Sequence, residues 1–280
     1  MIRNGSLLTV GLTLGLAGWG TSGALVSGCA GVRPGEEGGG GRTGVNVGGG
    51  GHGGRGVDPG ETGGCKQDLA AVVRDFRGFT TVPTLPKQPD FEFNVQPLTG
   101  IVAPLIGADQ KPVYAPPGPT AVTNGPDTFN QWYRDVPDVN MRFAITIPLT
   151  PHPSRQGVFV YDNDAFFPID DQGWGNQYQS HNFDFTTEIH FDFPYRGGEV
   201  FTFRGDDDVW VFVNGHLAID LGGVHEAETG TVDLDQMAAA LGISAGRTYR
   251  MDIFQAERHV IYSTFHIETS VACVDNVPVP

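Results

Sequence analysis

The stretch Asn182–Phe193 constrains the fold more than any other part of the chain. Its side chains alternate between large apolar or β-branched residues and polar ones, and a period of two over this length predicts a β-strand. The apolar face holds Phe183, Phe185, Thr187, Ile189, Phe191 and Phe193, and the polar face holds Asp184, Thr186, Glu188, His190 and Asp192. We expect one buried and one wet face, which is typical of a strand in an antiparallel sheet.

Other segments repeat this pattern more weakly. Strands are predicted at Gln67–Phe76, Met141–Leu149, Val158–Tyr161, Glu199–Arg204, Val209–Val213, His216–Leu221, Thr248–Phe254 and Thr264–Val271. Short helices are predicted at Thr128–Tyr133 and Leu234–Leu241; Asp233 with Gln236 forms a capping box for the second, and Gly242 ends it. Because strands do not alternate regularly with helices, the sequence predicts an all-β fold, an antiparallel sandwich or barrel of two packed sheets.

The chain begins with a segment typical of a secretory signal peptide. Met1–Gly28 has a basic start, an apolar run and then small residues. Its end resembles a bacterial lipobox, which implies that Cys29 carries a lipid. An ordinary signal peptide cut nearby and a membrane anchor remain alternatives, although the apolar run is short and broken by glycines. We expect a bacterial cell envelope location, as an outer-membrane lipoprotein or at the cell surface, or secretion.

Residues 29–64 are rich in glycine and nearly free of large apolar side chains, so they predict a flexible linker, disordered on its own. The folded domain is predicted at residues 65–275. The formal net charge of −15 argues against nucleic acid and anionic membrane surfaces as partners, which leaves a lipid anchor as the only expected membrane contact. The same charge suits divalent cations and neutral ligands such as sugars.

Two cysteines, Cys65 and Cys273, bracket the predicted domain. The first and last strands of a sandwich are often neighbours, and export favours oxidation, so the two are expected to form a disulfide. Closing so long a loop would contribute about 4–5 kcal/mol in the chain-entropy description. Two free thiols remain the alternative.

Three adjacent carboxylates, Asp206, Asp207 and Asp208, lie between two predicted strands. Asn214-Gly215 then predicts a hairpin turn. Like charges repel strongly where the dielectric is low, and a hard divalent cation relieves that repulsion, so the triplet predicts a calcium site. The alternative is a solvated loop whose aspartates cap turns.

Several segments resemble the fibro-slime domain, a branch of the PA14 superfamily. They are VRDF (Val73–Phe76), PDFE (Pro89–Glu92), KPVY (Lys111–Tyr114), FNQWYRDVPDVN (Phe129–Asn140), FFPID (Phe166–Asp170), the run Phe185–His225 and AERH (Ala256–His259). The resemblance implies a PA14-like β-sandwich of a secreted or surface protein.

In sugar-binding PA14 relatives, two adjacent aspartates joined by a cis peptide hold a calcium ion that also contacts glycan hydroxyls. Counted back from Gly215, the resemblance places that pair on Asp206 and Asp207. Asp208 stands where many PA14 domains have glycine. Further calcium ligands are expected from the loops Asp162–Asp171 and Gly222–Glu228, because calcium takes six to eight oxygens.

Other residues are candidates for ligand contact. Trp210 and Trp174 could stack on sugar rings, although each would more commonly belong to the core. Asp171 lies in the acidic loop beside Trp174, and His225 and Glu226 lie in a loop flanked by glycines, which could equally be solvated. Histidine spacing typical of zinc sites is missing from the sequence.

The sequence therefore predicts a binding or adhesion module rather than an enzyme. It would be lipid-anchored and would recognise carbohydrate or an extracellular matrix polymer through calcium. One alternative is a structural component of a fibrous or slime matrix, with an ion that only stiffens a loop. A weaker alternative is glycoside processing by a carboxylate pair such as Asp207 with Glu226.

Overall fold

Two antiparallel sheets pack face to face in the computed structural model, which describes residues 67–78 and 85–280. The strands are β1 (Asp68–Phe76), β2 (Asn140–Pro148), β3 (Thr150–Pro151), β4 (Phe159–Asn163), β5 (Phe185–Tyr195), β6 (Val200–Gly205), β7 (Asp208–Val213), β8 (His216–Leu221), β9 (Glu228–Asp233), β10 (Arg247–Glu257), β11 (Phe265–Thr269) and β12 (Asp275–Asn276). The helices are α1 (Pro126–Phe129) and α2 (Leu234–Leu241). The predicted all-β sandwich with short helices is confirmed.

The larger sheet has the order β2-β1-β5-β10-β7-β8. The short strand β12 also pairs with β5, at Phe191 and Asp192. The smaller sheet has the order β3-β4-β11-β6-β9. Phenylalanine, valine and isoleucine side chains from both sheets fill the space between them, among them Phe185, Ile189, Phe203, Val211 and Ile253. This core follows the period-two pattern, because each strand turns alternate side chains inward.

A third layer covers the outer face of the larger sheet. It is formed by residues 85–139, whose apolar side chains make a second core with Phe76, Trp210 and Phe254. Trp132 lies at its centre, with Phe129 and Phe91 at ring distances of 4.8 and 5.9 Å. Both faces of β7 are therefore buried.

The prediction that one face of β5 is wet is wrong. Glu188 and His190 are fully buried, because the covering layer and the C-terminal segment lie over them. Glu188 Oε2 accepts from Arg74 Nη1 at 2.5 Å, while its other oxygen contacts Lys111 and His190. Asp252 Oδ1 lies 2.6 Å from His190 Nδ1 and completes the network. Ion pairing, rather than water, satisfies Glu188 and His190.

The pKa values in this network follow from its pairing. Burial alone would lower the pKa of His190, but the hydrogen bonds to Asp252 and Glu188 raise it above 6.5. Burial would likewise raise the pKa of Glu188, yet His190 and the cations Arg74 and Lys111 hold it below its ordinary value. The network therefore favours the charged form of both side chains.

Most element boundaries lie close to the predicted ones, and α2 is reproduced residue for residue. Asn214 and Gly215 both have positive φ, 50° and 76°, as the predicted tight hairpin turn requires. Strand β9 was not predicted, because its sequence ETGTVD has little apolar character on either face. Helix α1 begins at Pro126, two residues before the predicted start.

The structure describes the C-terminal end of the predicted domain, whereas its N-terminal boundary at residue 65 lies outside the described residues. Ordered contacts continue past residue 275, since Val277 N donates to His190 O at 3.0 Å and Arg142 donates to Val279 O. The signal peptide, Cys29 and its lipid, the linker and Cys65 all lie outside the described residues. The disulfide between Cys65 and Cys273 therefore stays a prediction.

Helix α2 provides a first testable prediction. Asp233 accepts hydrogen bonds from the N–H groups of Asp235 and Gln236 at 3.0 and 3.1 Å. We expect Asp233→Ala to destabilise the domain by about 1 kcal/mol, because two helix donors lose their acceptor. Urea unfolding measures the loss. The control is Asp127→Ala, an exposed aspartate at α1, which should change stability by less than about 0.5 kcal/mol. Equal effects would show that the cap is unimportant.

Candidate functional site

The acidic triplet lies where the chain passes from one sheet to the other. Strand β6 of the smaller sheet ends at Gly205, and β7 of the larger sheet begins at Asp208. Asp206 and Asp207 form the connection between them. Asp207 has a φ of 46°, which is unusual for a residue with a side chain. The sharp turn directs these neighbouring carboxylates into different surroundings.

Asp206 and Asp207 are buried, and each is held by a backbone donor. Asp206 Oδ1 accepts from Thr264 N at 2.5 Å, and Asp207 Oδ2 accepts from Arg258 N at 2.8 Å. Within the described parts of the chain, Asp206 Oδ2 is buried and has no hydrogen-bond partner. One oxygen of Asp206 is thus left for a ligand that the protein itself does not supply.

Asp208 has a different role. Its Oδ1 accepts from Gly223 N at 2.6 Å, and its Oδ2 lies 2.6 Å from Arg258 Nε. Gly223 approaches this closely because it has no side chain: its φ is 92°, and a Cβ would lie 2.4 Å from Gln96 O. Both oxygens are therefore engaged, and the structure does not offer Asp208 as the metal ligand that we predicted.

Arg258 is the cation that compensates Asp208. It is fully buried, donates from Nη1 to the carbonyls of Asp90 and Val122 at 2.8 and 3.0 Å, and lies over the Trp132 ring at 4.7 Å. Burial would lower its pKa, but Asp208 and then Asp207 raise it above the ordinary arginine value. Arg258 therefore compensates part of the negative charge of the triplet.

Glu257, which sequence reasoning missed, adds a third uncompensated carboxylate. It ends β10, is fully buried, and in the described chain neither of its oxygens has a hydrogen-bond partner. The nearby Ser263 hydroxyl donates its proton to Phe166 O at 2.7 Å. Alternation along β10 places Glu257 on the same face as Ile253, towards the core between the sheets.

The fold disfavours the ionised form of the carboxyl groups of Asp206, Asp207 and Glu257. Burial raises the pKa of Asp206, Asp207 and Glu257, and repulsion from Asp207 and Asp206 raises that of Glu257 further. Burying unpaired carboxylates is costly, so they bind a proton or a cation. Oxygen-only donors suit calcium better than softer metals.

Asp206 and Glu257 keep oxygens without a hydrogen-bond partner, which a cation could use, whereas both oxygens of Asp208 are engaged. Among residues 67–78 and 85–280, no group of three or more His, Cys, Asp or Glu side chains is arranged to hold a metal ion. An ion here would need other oxygen ligands, namely backbone carbonyls, water or ligand hydroxyls, beside the carboxylates.

A cavity of about 270 Å³ opens beside the acidic pair. Its walls come from three loops and include Val95, His225, Glu226 and Tyr262, together with Asp206 and Asp207. The structure thus brings the predicted residues His225 and Glu226 to the predicted aspartates.

The other predicted contact residues lie elsewhere. Trp210 is fully buried in the second core, where its indole donates to Asp220 Oδ1 at 2.9 Å. Trp174 stacks on the Arg77 guanidinium at 3.8 Å, and its backbone N–H donates to Asp75. Asp171 is exposed in the same loop. None of the three lines the cavity. Trp210 is enclosed in the second core, and the loop that carries Asp171 and Trp174 packs against the end of β1.

The strand pairing defines this unit as a β-sandwich module with a cavity on the loops at one end. Residues 148–278 match the family model of the PA14 domain. The match confirms the predicted resemblance to the PA14 superfamily over this part of the chain. Strands β1 and β2 precede the matched range but belong to the same sandwich.

Proteins of Dictyostelium discoideum are similar to this chain, among them psiQ, psiD and psiC. Protein psiQ is 40% identical over 185 residues, which cover 61% of this chain and 18% of psiQ. Protein psiD is 41% identical over 188 residues, 61% and 36% of the two chains, and protein psiC is 34% identical over 208 residues, 68% and 40%. The chain thus spans 18–40% of the length of these relatives. Because they are eukaryotic proteins, the prediction of a bacterial cell envelope location is wrong.

Two solved structures share a weaker likeness. The PA14 domain of the MpAFP antifreeze protein is 10% identical, with 46% of this chain and 80% of that chain covered and a TM-score of 0.28. The PA14 sugar-binding domain from an RTX adhesin is 14% identical, with 43% and 75% covered and a TM-score of 0.25. In the part of the chain that the structure describes, neither helix has the length and hydropathy needed to cross a membrane.

Proposed function

We propose that the domain is a calcium-dependent binding module that recognises a glycan at the cavity beside Asp206 and Asp207. The observation that carries the proposal is the unpartnered, buried oxygen of Asp206 in the wall of an open cavity, with Glu257 as a second unpartnered carboxylate whose pKa Asp206 raises. The PA14 match supports a module of this class. Calcium, when bound, would supply a positive charge that both carboxylates and sugar hydroxyls can coordinate.

The protein residues provide the rest of the site. Thr264 N and Arg258 N fix one oxygen each of Asp206 and Asp207, so that the remaining oxygens keep their direction. His225 and Glu226 offer hydrogen-bonding groups at the cavity wall, and Tyr262 offers an aromatic face. We propose binding rather than catalysis.

A structural role for the ion is the second candidate. The complete burial of Glu257 favours it, because an ion held there would tie β10 to the connection between β6 and β7 without needing any ligand in the cavity. The domain would then act as a matrix component whose ion stiffens the sandwich. Binding experiments separate the two candidates.

Calcium is expected to raise the melting temperature of the domain. At a free concentration of one hundred times Kd, the stabilisation would be about 2.7 kcal/mol. The effect should grow with pH, because the raised pKa values of Asp206, Asp207 and Glu257 mean that protons compete with the ion at lower pH. Thermal unfolding with calcium or chelator, at two pH values, measures it.

Matched variants test the location of the ion. Asp206→Asn should abolish the calcium shift while leaving the metal-free protein at least as stable, since a buried unpaired charge is removed. Asp171→Asn, an exposed aspartate away from the cavity, should keep the full shift. A calcium shift that survives Asp206→Asn, or an unchanged wild-type midpoint, would refute the calcium site. Calcium stabilisation without chelator-sensitive binding on a glycan array would select the structural candidate.

A further inference from the structure

Exposed apolar side chains gather on the loops around the cavity. Within the described residues, the large apolar side chains that face solvent include five from these loops, which we call the rim: Phe93, Val95, Tyr178, Ile261 and Tyr262. Tyr178 is 83% exposed and Tyr262 is 65% exposed. Only three of the rim residues, Val95, Ile261 and Tyr262, line the cavity, so the rim extends beyond it.

One residue, Glu92, ties the three rim loops together. Its Oε1 accepts from Val260 N at 3.1 Å and from Gln179 Nε2 at 3.4 Å, and His259 Nε2 lies 3.6 Å from Oε2. Its own N–H donates to Arg258 O at 2.8 Å. Phe93 follows Glu92 directly and Tyr178 precedes Gln179, so the rim residues belong to one end of the sandwich.

The loops that carry the rim contain backbone conformations that are energetically unfavourable. Gln177 and Tyr178 both have positive φ, 50° and 71°, and Ile261 has a φ of 142°, which a β-branched residue rarely adopts. The Gln177 amide holds its turn by donating to Phe76 O and Asp184 Oδ2, each at 2.8 Å. Such strain persists where the surroundings fix it, and it clusters at binding sites.

Charge decides which partner suits the rim. The acidic residues Glu226 and Glu92 lie beside it, and the guanidinium of Arg258 is buried against Asp208. This field, added to a net charge of −15, repels anionic lipid and acidic polymers. Tyrosines suit sugars, since the ring stacks on the apolar face of a pyranose while the hydroxyl stays hydrated.

We infer that the rim binds additional sugars of an extended neutral polysaccharide, with Tyr178 as a contact outside the cavity. The inference rests on the proposed glycan function of the cavity and adds a ligand class to it: a neutral chain of several linked sugars rather than a single terminal sugar. The cavity takes one part of the chain, and the rim takes its neighbours.

Titration of the full domain with neutral gluco- and manno-oligosaccharides, in homologous series from a single sugar to a hexamer, tests this inference. In the series that binds, affinity should rise at least about tenfold from monosaccharide to hexamer. Tyr178→Ala should lower hexamer affinity about tenfold and leave monosaccharide affinity unchanged, whereas Tyr178→Phe should retain hexamer binding. Calorimetry with calcium present measures each value.

Two controls keep the outcomes separate. Leu105→Ala changes an exposed apolar residue outside the rim and should bind the hexamer like wild type, and the melting temperature of Tyr178→Ala should match wild type. Equal affinity for monosaccharide and hexamer, or hexamer binding untouched by Tyr178→Ala, overturns the rim and leaves the cavity intact. Binding of no series, whether short or long, overturns the glycan function itself.

Discussion

Arg258→Met is expected to destabilise the domain by about 3–5 kcal/mol, the largest effect of a single change near the candidate site. The guanidinium is fully buried against Asp208 and lies near Asp207, so its removal leaves two buried carboxylates without their cation. It also removes the donors to the carbonyls of Asp90 and Val122 and the contact with Trp132. Denaturant unfolding, analysed for the free energy at zero denaturant, measures the loss.

Two companion variants make that result interpretable. Arg134→Met breaks a partly exposed pair with Asp109 and should cost no more than about 1 kcal/mol. Adding Asp208→Asn to Arg258→Met should recover part of the loss, because the stranded charge disappears, and the double-mutant cycle isolates that coupling. A loss no larger than that of Arg134→Met would show that Arg258 does not neutralise the triplet.

Glu188→Gln should have an effect of similar size, again about 3–5 kcal/mol, elsewhere on the outer face of the larger sheet. Glu188 pairs with Arg74, Lys111 and His190 in a region closed to solvent, so the neutral amide would leave buried cations without an acceptor charge. The exposed pair of Arg204 with Asp164 offers a control: Asp164→Asn should stay within about 1 kcal/mol. Equal losses would argue against a stabilising network.

The same network gives the wild type a recognisable pH dependence. The pKa of His190 is raised in the folded state above its unfolded value near 6.5. Its contribution to stability is therefore fully present below pH about 6.5 and is lost as the pH rises through the folded pKa. Unfolding free energies across that window should show a smaller decline in Glu188→Gln, since His190 has lost one partner. An unchanged slope would mean that Glu188 does not hold the proton on His190.

Local patterns predicted most of the fold. Period-two segments located all the long strands except β9, and the capping residues of α2 marked both of its ends, because side chains and their near neighbours determine these features. The polar face of β5 was misread since its partners, Lys111 and Asp252, lie 77 and 62 residues from Glu188 and His190. Alternation shows that a face is polar but cannot show what covers it.

The candidate site was likewise predicted only where local sequence determines it. Asp206 and Asp207, with His225 and Glu226, were predicted from a local cluster of charge and a glycine-flanked loop, and the structure brings them together. Glu257 ends strand β10 and Arg258 follows it, and their relation to the triplet arises only from the pairing of β10 with β7. The one available signal was the segment AERH, which carries both residues but says nothing of their direction.

The connection between β6 and β7 also determines which strands would receive a pulling force from a bound ligand. Asp206 and Asp207 lie where the chain leaves the smaller sheet and enters the larger one. A tensile force that a bound ligand exerted at this point would therefore act on both sheets. It would enter them through the interior strands β6 and β7 rather than through an edge strand. Interior strands resist being peeled away because each is bonded on two sides, so the position of the cavity favours mechanical endurance.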